Sequence, residues 1–410
     1  MYLIHGRRWN PDVAGFADAV SAAHATHHRP LCLCLVKGTE MYVARLGDGY
    51  LIKRMPYTGS HHAPDCPSYE PPAEFSGLGQ VLGSAITEDP VNGVTALKLG
   101  FSMSKAGARS IDPGSGRTSD SDSVATDGTK LSLRGLLHYL WDQAELTHWH
   151  PGFAGKRSWA TVRKHLLIAA ANKIARGIAL QSRLYIPEIF TVEHRDEINA
   201  RRVSHLMHAA GKPKGPRPLM LLIGEVKEIV PARYGFKAVI KHVPDQPFAL
   251  DEQLYRRMGR RFERELSQWG ASDAVHMMLI ATFGLNDAGV PTIEELSLMP
   301  VTGQWLPVED GFEQHLIERL VRDGRTFVKG LRYNLPVGQL LASVILTDAC
   351  ESPVALCIAP RGADDEEVAV AMKDFAPVNG SPAWVWRMDQ GAMPTLPRQS
   401  RSKLDAECST

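Results

Sequence analysis

Cys32-Leu-Cys34 and His62-Ala-Pro-Asp-Cys66 set four soft or borderline donors in two short pairs, and no other feature of the chain restricts its fold as strongly. Structural zinc takes four such donors, and its sequence sign is two close pairs bracketing a longer loop. In an extended segment residues two apart share a face, so Cys32 and Cys34 are expected to reach one ion. Pro64 favours a turn that brings His62 to Cys66. His24, His27, His28 and His61 compete for the fourth place, and spacing to Cys66 prefers His62. Three thiolates and one imidazole leave no open position for water, so the expected role is to hold a small domain together. The alternative is three ordinary buried cysteines beside surface histidines. A redox pair would call for Cys-x-x-Cys, which the chain lacks.

The ligand reading depends on compartment. The first residues, Met-Tyr-Leu-Ile-His-Gly-Arg-Arg, reach charge without the apolar stretch of a secretory signal, which predicts a cytoplasmic protein whose thiols stay reduced. Apolar runs such as Leu219 to Ile223 and Met277 to Ala281 fall short of the roughly 20 residues that span a bilayer, so no membrane association is expected. With 46 Lys+Arg against 45 Asp+Glu, the net charge of +1 gives no global attraction to polyanions. Any nucleic-acid binding must come from local patches.

The chain of 410 residues predicts an α+β, multi-domain fold. Residues 1–103 form the cysteine-bearing α+β region, with a helical pattern over 10–26, an extended segment Leu31 to Val36, a hairpin of Met41 to Arg45 and Tyr50 to Arg54, and a strand Thr95 to Met103. Residues 104–130 hold almost no large apolar side chain and read as a flexible linker or loop. Residues 131–215 are expected to be helical, with Leu133, Leu136, Leu137, Leu140 and Trp141 at helical spacing. Residues 216–392 form an α/β domain: strands at 219–226, 236–243 and 275–283, a helix at 251–269 capped by Asp251, then helix 312–323, strands 326–333, 340–347 and 353–359, helix 364–375 and strand 383–388. A polar tail follows from 393 to 410.

Two basic clusters are candidates for nucleic-acid contact. Arg256, Arg260 and Arg264 repeat every four positions with Arg257 and Arg261 beside them, giving a positive helix face, although Glu252, Glu263 and Glu265 offer pairing. Lys156 and Arg157 precede the Trp159 helix, where Trp141, Trp149 and Trp159 are as well explained by a core as by base stacking. DNA or RNA is the candidate partner these clusters suggest, with a solvated, ion-paired helix face as the alternative. No Gly-x-Ser-x-Gly, no His-Glu-x-x-His and no phosphate loop in its proper context occurs, and His148 and His150 read as loop residues.

The closing run of helix, strand, strand ending near Asp348 and further strand resembles the core of restriction-endonuclease-type nucleases. The resemblance implies a divalent metal held by Asp348 and by an acid and a lysine on the next strand. That strand offers Ala355, Leu356, Cys357 and Ile358 instead, and Glu351 precedes it. The implied core is therefore degenerate, and a nuclease would need a displaced active site.

A wider resemblance rests on Arg29-Pro-Leu-Cys-Leu-Cys, Glu40-Met-Tyr-Val-Ala-Arg-Leu, His62-Ala-Pro-Asp-Cys-Pro-Ser-Tyr-Glu, Thr129-Lys-Leu-Ser-Leu-Arg-Gly-Leu-Leu-His-Tyr-Leu-Trp, Leu222-Ile-Gly-Glu-Val-Lys-Glu-Ile and Phe327-Val-Lys-Gly-Leu-Arg-Tyr. Together these are similar to a bacterial family of unknown function with three cysteines near its N-terminus. The resemblance implies a setting on plasmids and integrative conjugative elements, with proteins of a conjugative or plasmid-maintenance system as possible partners. The expectation is a non-catalytic, zinc-stabilised factor that binds nucleic acid or protein, with a nuclease or a pure assembly scaffold as alternatives.

Overall fold

The longest apolar runs of the chain lie at the centre of the computed structural model, which describes residues 1–46, 49–105, 128–209, 215–350, 352–375 and 384–400. Five strands, Met220–Pro231, Phe236–Ile240, Phe248–Leu250, Val275–Leu285 and Pro291–Thr302, close into a small barrel. In chain order the first pairs with the second, the second with the third, the third with the fifth, the fifth with the fourth, and the fourth returns to the first. Only the third and fifth run parallel. A register shift between Val226 and Glu228 bends the first strand, so its two halves serve different neighbours.

Alternation sorts the side chains of these strands. Met220, Leu222, Met277, Leu279 and Phe283 join the core inside the barrel, while Leu221, Ile223, Met278 and Ile280 join the core outside it. Burial of both faces explains why the strands read as unbroken apolar runs. The fifth strand was not anticipated, because Glu294, Glu295 and two prolines interrupt its pattern.

Between the third and fourth strands the expected single helix is two, Glu252–Arg261 and Glu263–Ala271. Asp251 caps the first as predicted, accepting the Leu254 N–H at 2.7 Å. The break falls at Phe262, whose ring is drawn into the barrel core beside Leu254 and Met258.

Outside the barrel lie the helices Leu133–Gln143 and Trp159–Ala170, capped by Ser132 and Ser158. Trp141, Trp149 and Trp159 are buried, which makes them core residues rather than stacking platforms. The stretch 131–215 is less purely helical than expected. Lys173–Ala175 pairs parallel with Val94–Leu97, and Leu184–Tyr185 joins the first barrel strand. One apolar cluster from Val81 to Tyr333 thus crosses the boundaries expected at 103, 130 and 215. The expected strand Thr95 to Met103 is shorter, Val94–Leu97, and forms a hairpin with Ile86–Asp89.

Near the N-terminus, the strands Arg7–Trp9, Tyr2–Ile4, Leu31–Cys32, Thr39–Leu46 and Gly49–Arg54 form an antiparallel sheet in that order, packed against the helix Phe16–Ala25. At the other end a five-stranded sheet runs Trp384–Arg387, Val354–Ala359, Ala342–Leu346, Phe327–Lys329, His148–Trp149. Its first pair is parallel and the rest antiparallel. His148 therefore belongs to an edge strand, not a loop, and the strand expected over 326–333 is only Phe327–Lys329. Helices Gly311–Arg322 and Asp365–Phe375 precede and interrupt this run. From the expected linker, Ser104–Lys105 pairs with Arg217–Pro218, and 106–127 lie outside the described residues. Of the expected polar tail, 401–410 lie outside the described residues, while Met393 and Leu396 pack on the C-terminal core. No helix among the described residues is long and apolar enough to cross a membrane.

One buried ion pair locks the Gly311–Arg322 helix to this sheet. Lys329 Nζ lies 2.9 Å from Glu313 Oε1, with both side chains almost fully enclosed. Burial pushes the Glu313 carboxyl up to about 7 against the attraction of Lys329. Lys329→Met is expected to cost about 3–5 kcal/mol, because it leaves a buried acid without its cation. The check is the urea midpoint of unfolding, and an unchanged midpoint would show that the pair contributes nothing.

Candidate metal centre

Cys32 ends a two-residue strand that pairs with Tyr2 on one side and Thr39 on the other. The extended segment expected through Val36 stops there. Cys34 sits in the following turn, ahead of a second turn closed by the Gly38 N–H to Leu35 carbonyl bond of 2.9 Å. Gly38 adopts φ +68°, a conformation that suits glycine. Turn geometry, rather than strand alternation, therefore brings the two thiols together.

The second pair comes from a loop drawn shut at its base. Gly59 accepts the Glu70 N–H at 3.1 Å, and a Cβ added at Gly59 would stand 2.6 Å from the Glu70 Cβ. Within this loop the Cys66 N–H bonds the Ala63 carbonyl at 2.8 Å, the turn that Pro64 predicts. It sets His62 and Cys66 side by side.

The donor atoms of Cys32, Cys34, His62 and Cys66 all lie within 4.8 Å of one another and could hold a metal ion. Cys32 Sγ is 3.7 Å from Cys66 Sγ, and His62 Nδ1 is 3.4 Å from Cys34 Sγ and 3.8 Å from Cys66 Sγ. Tetrahedral zinc, with bonds of about 2.3 Å to sulfur and about 2.0 Å to nitrogen, would space sulfurs by about 3.8 Å and sulfur from nitrogen by about 3.6 Å. The distances are compatible with that ion. Backbone N–H groups of Ala63 and Ser68 donate to Cys34 Sγ at 3.5 Å and Cys66 Sγ at 3.4 Å, contacts that would favour sulfur in its thiolate form. Burial, with the neighbouring thiols, pushes the Cys32 thiol up to about 12 and raises Cys66, so thiolates here call for a cation beside them.

The competition for the fourth place resolves to His62. His61 is exposed, His28 and His5 stack on each other, and His24 packs on Tyr50. The far nitrogen of His62, Nε2, is buried without a hydrogen-bond partner among the described residues.

The other candidate residues are scattered. Arg157 faces inward, and its guanidinium donates to the carbonyls of Leu146, His148 and Gln304, so it is structural rather than free for phosphate. Lys156 beside it is exposed. The expected arginine stripe is cut at Phe262. Arg256 pairs with Glu252 at 2.5 Å, Arg257 is exposed, and Arg260, Arg261 and Arg264 line a cavity. Asp348 accepts both Nε and Nη2 of Arg325, the Thr326 N–H at 2.8 Å and Gln399 at 3.0 Å. So saturated, it anchors the strand end and is a poor metal ligand. Glu351 lies outside the described residues.

Sequence reasoning passed over a charged group in which Glu313, Lys329, Arg332 and His138 are buried and Glu309 is half-buried. Arg332 holds Glu309 through both oxygens, which depresses that carboxyl to about 2 against the effect of burial. The available signal was Lys329 and Arg332 inside an otherwise apolar run.

No curated protein and no solved structure matches the chain. Residues 2–389 match the family described as "Protein of unknown function (DUF1173)", and the chain belongs to that family.

Proposed function

We propose that this protein is a non-catalytic, zinc-stabilised factor that binds single-stranded nucleic acid on the outer face of its barrel. The observation that carries the reading is connectivity. Strand order one-two-three-five-four-one, a parallel pairing of three with five, a bent first strand and a helical insertion between three and four together form the pattern of the OB-fold. In that fold the face of strands two and three, with the loops joining one to two and four to five, takes oligonucleotides or oligosaccharides.

The residues at this face favour the polyanion. The first loop carries Arg233 and Tyr234, with the guanidinium 5.4 Å from the ring centroid and Tyr234 81% exposed. Lys237 pairs with Ala249 across strands two and three, and Lys227 is exposed on strand one. An open aromatic ring among cations suits base stacking with phosphate neutralisation alongside. On a plasmid or integrative conjugative element such a factor would work beside transfer or maintenance proteins.

Zinc enters as a staple. Among the described residues, the cluster shared by the N-terminal sheet and its helix has only Ile4, Val20 and Ala23 as buried members, a small core that a further tie would steady. The protein is expected to carry about one zinc per chain by elemental analysis, and chelation or Cys66→Ser to unfold the N-terminal sheet. Metal-free protein of equal stability would return the cysteines to an ordinary core.

For nucleic acid, fluorescence anisotropy with a labelled single strand is expected to show binding that weakens with salt and falls about tenfold in Tyr234→Ala, the loss of roughly one stacked base. Absence of binding at low salt removes this function.

A second reading, a metal-dependent nuclease, is favoured by the C-terminal order of helix, three antiparallel strands, helix and parallel strand. Incubation with plasmid and Mg²⁺ or Mn²⁺ separates the two, since the binding factor leaves the plasmid intact. Cleavage that survives Asp348→Ala would place the chemistry elsewhere.

A further inference from the structure

A cavity of about 1030 Å³ opens between the Glu263–Ala271 helix, the start of the Gly311–Arg322 helix and the C-terminal sheet. That is the upper end of the range for small-molecule sites. Much of its charged lining is internally satisfied. Arg332 pairs with Glu309, and Arg134 donates to the carbonyls of Tyr333 and Leu335. Asp310 caps its helix, accepting the Glu313 N–H at 2.9 Å.

Two lining side chains differ. His138 is 5% exposed and Ser343 6% exposed. His138 Nδ1 accepts the Tyr333 N–H at 2.9 Å, which puts the ring proton on Nε2. Neither that N–H nor the Ser343 hydroxyl meets a hydrogen-bond partner among the described residues. A ring N–H and a hydroxyl on otherwise buried side chains, both opening onto a cavity, are placed to bond a partner that enters it.

The remaining lining says what that partner is. Arg260, Arg264 and Arg361 are exposed and form no ion pair among the described residues, although Glu263 and Glu265 lie nearby. Guanidinium forks match phosphate oxygens. Leu298, Pro300, Val308, Leu341, Ile358 and Trp386 provide an apolar wall wide enough for a ring system. We propose that this cavity binds a free nucleotide, with its phosphates on Arg260, Arg264 and Arg361 and with His138 Nε2–H and the Ser343 hydroxyl bonded to its oxygens. The site is separate from the barrel face and does not depend on nucleic-acid binding there. Burial holds His138 neutral, so it acts as a donor and not as a cation.

Isothermal titration of the full, metal-loaded chain tests this with ADP, GDP, CDP and UDP, inorganic phosphate, and a short DNA strand with and without a 5′-phosphate. At least one nucleoside diphosphate is expected to bind more tightly than inorganic phosphate. Arg260→Gln and Arg361→Gln, both at exposed side chains, are each expected to weaken it by about tenfold, while Tyr234→Ala leaves it unchanged. Ser343→Ala with an unaltered unfolding curve is expected to weaken it as well. The proposal falls if no nucleoside diphosphate binds at millimolar concentration, if inorganic phosphate binds as tightly, if only the 5′-phosphorylated strand binds, or if both arginine variants bind like the parent.

Discussion

Residues 220–226 of the strand Met220–Pro231 and 277–283 of the strand Val275–Leu285 bury both of their faces, and this double burial dictates where other layers can go. The inner face needs a closed surface of strands, which the barrel supplies, with the helix pair at Glu252–Ala271 contributing Leu254, Met258 and Phe262. The outer face needs cover, which comes from the helices around Leu136 and Trp159. Each apolar face is roughly as costly to leave wet as the other, so neither layer is dispensable. The helical layer in turn presents Arg134 and His138 to the segment Leu331–Leu335, which ties the barrel side of the molecule to the C-terminal sheet.

The N-terminal sheet stands apart from that logic. Its enclosed apolar residues are few, and its second half is a loop with little regular structure. Four donors drawn from a strand end, a turn and a loop come within 4.8 Å of one another, and a metal held there would supply the cross-link that packing does not. The same economy explains why the donors are separated by a hairpin: the intervening strands Thr39–Leu46 and Gly49–Arg54 make up much of the sheet that the site fastens.

Legibility followed the kind of force involved. The grouping of Cys32, Cys34, His62 and Cys66 was readable because donor chemistry is written in residue type and local spacing, although strand alternation gave way to a turn at Cys34. Helix starts at Asp251 and the apolar strands were readable because capping and burial leave local marks. The barrel was not, since closure depends on pairings such as Ala249 with Thr292 that no local pattern encodes, and its fifth strand is disguised by Glu294 and Glu295. Arg157 misled because a guanidinium satisfied by three carbonyls looks, in sequence, like one open to phosphate. His138 and Ser343 were invisible for a related reason: what distinguishes them is a missing partner, which only the packed molecule reveals.

The edge strand His148–Trp149 completes a sheet whose adjacent strand, Phe327–Lys329, lies far downstream. During synthesis at about 5–20 residues per second, Trp149 waits on the order of ten seconds or more before that neighbour leaves the ribosome. Its large apolar surface and unpaired backbone edge stay uncovered for that interval, the condition under which chains aggregate or recruit chaperones. The C-terminal sheet thus cannot mature as the chain emerges, and correct assembly of this protein is set by a late event of translation.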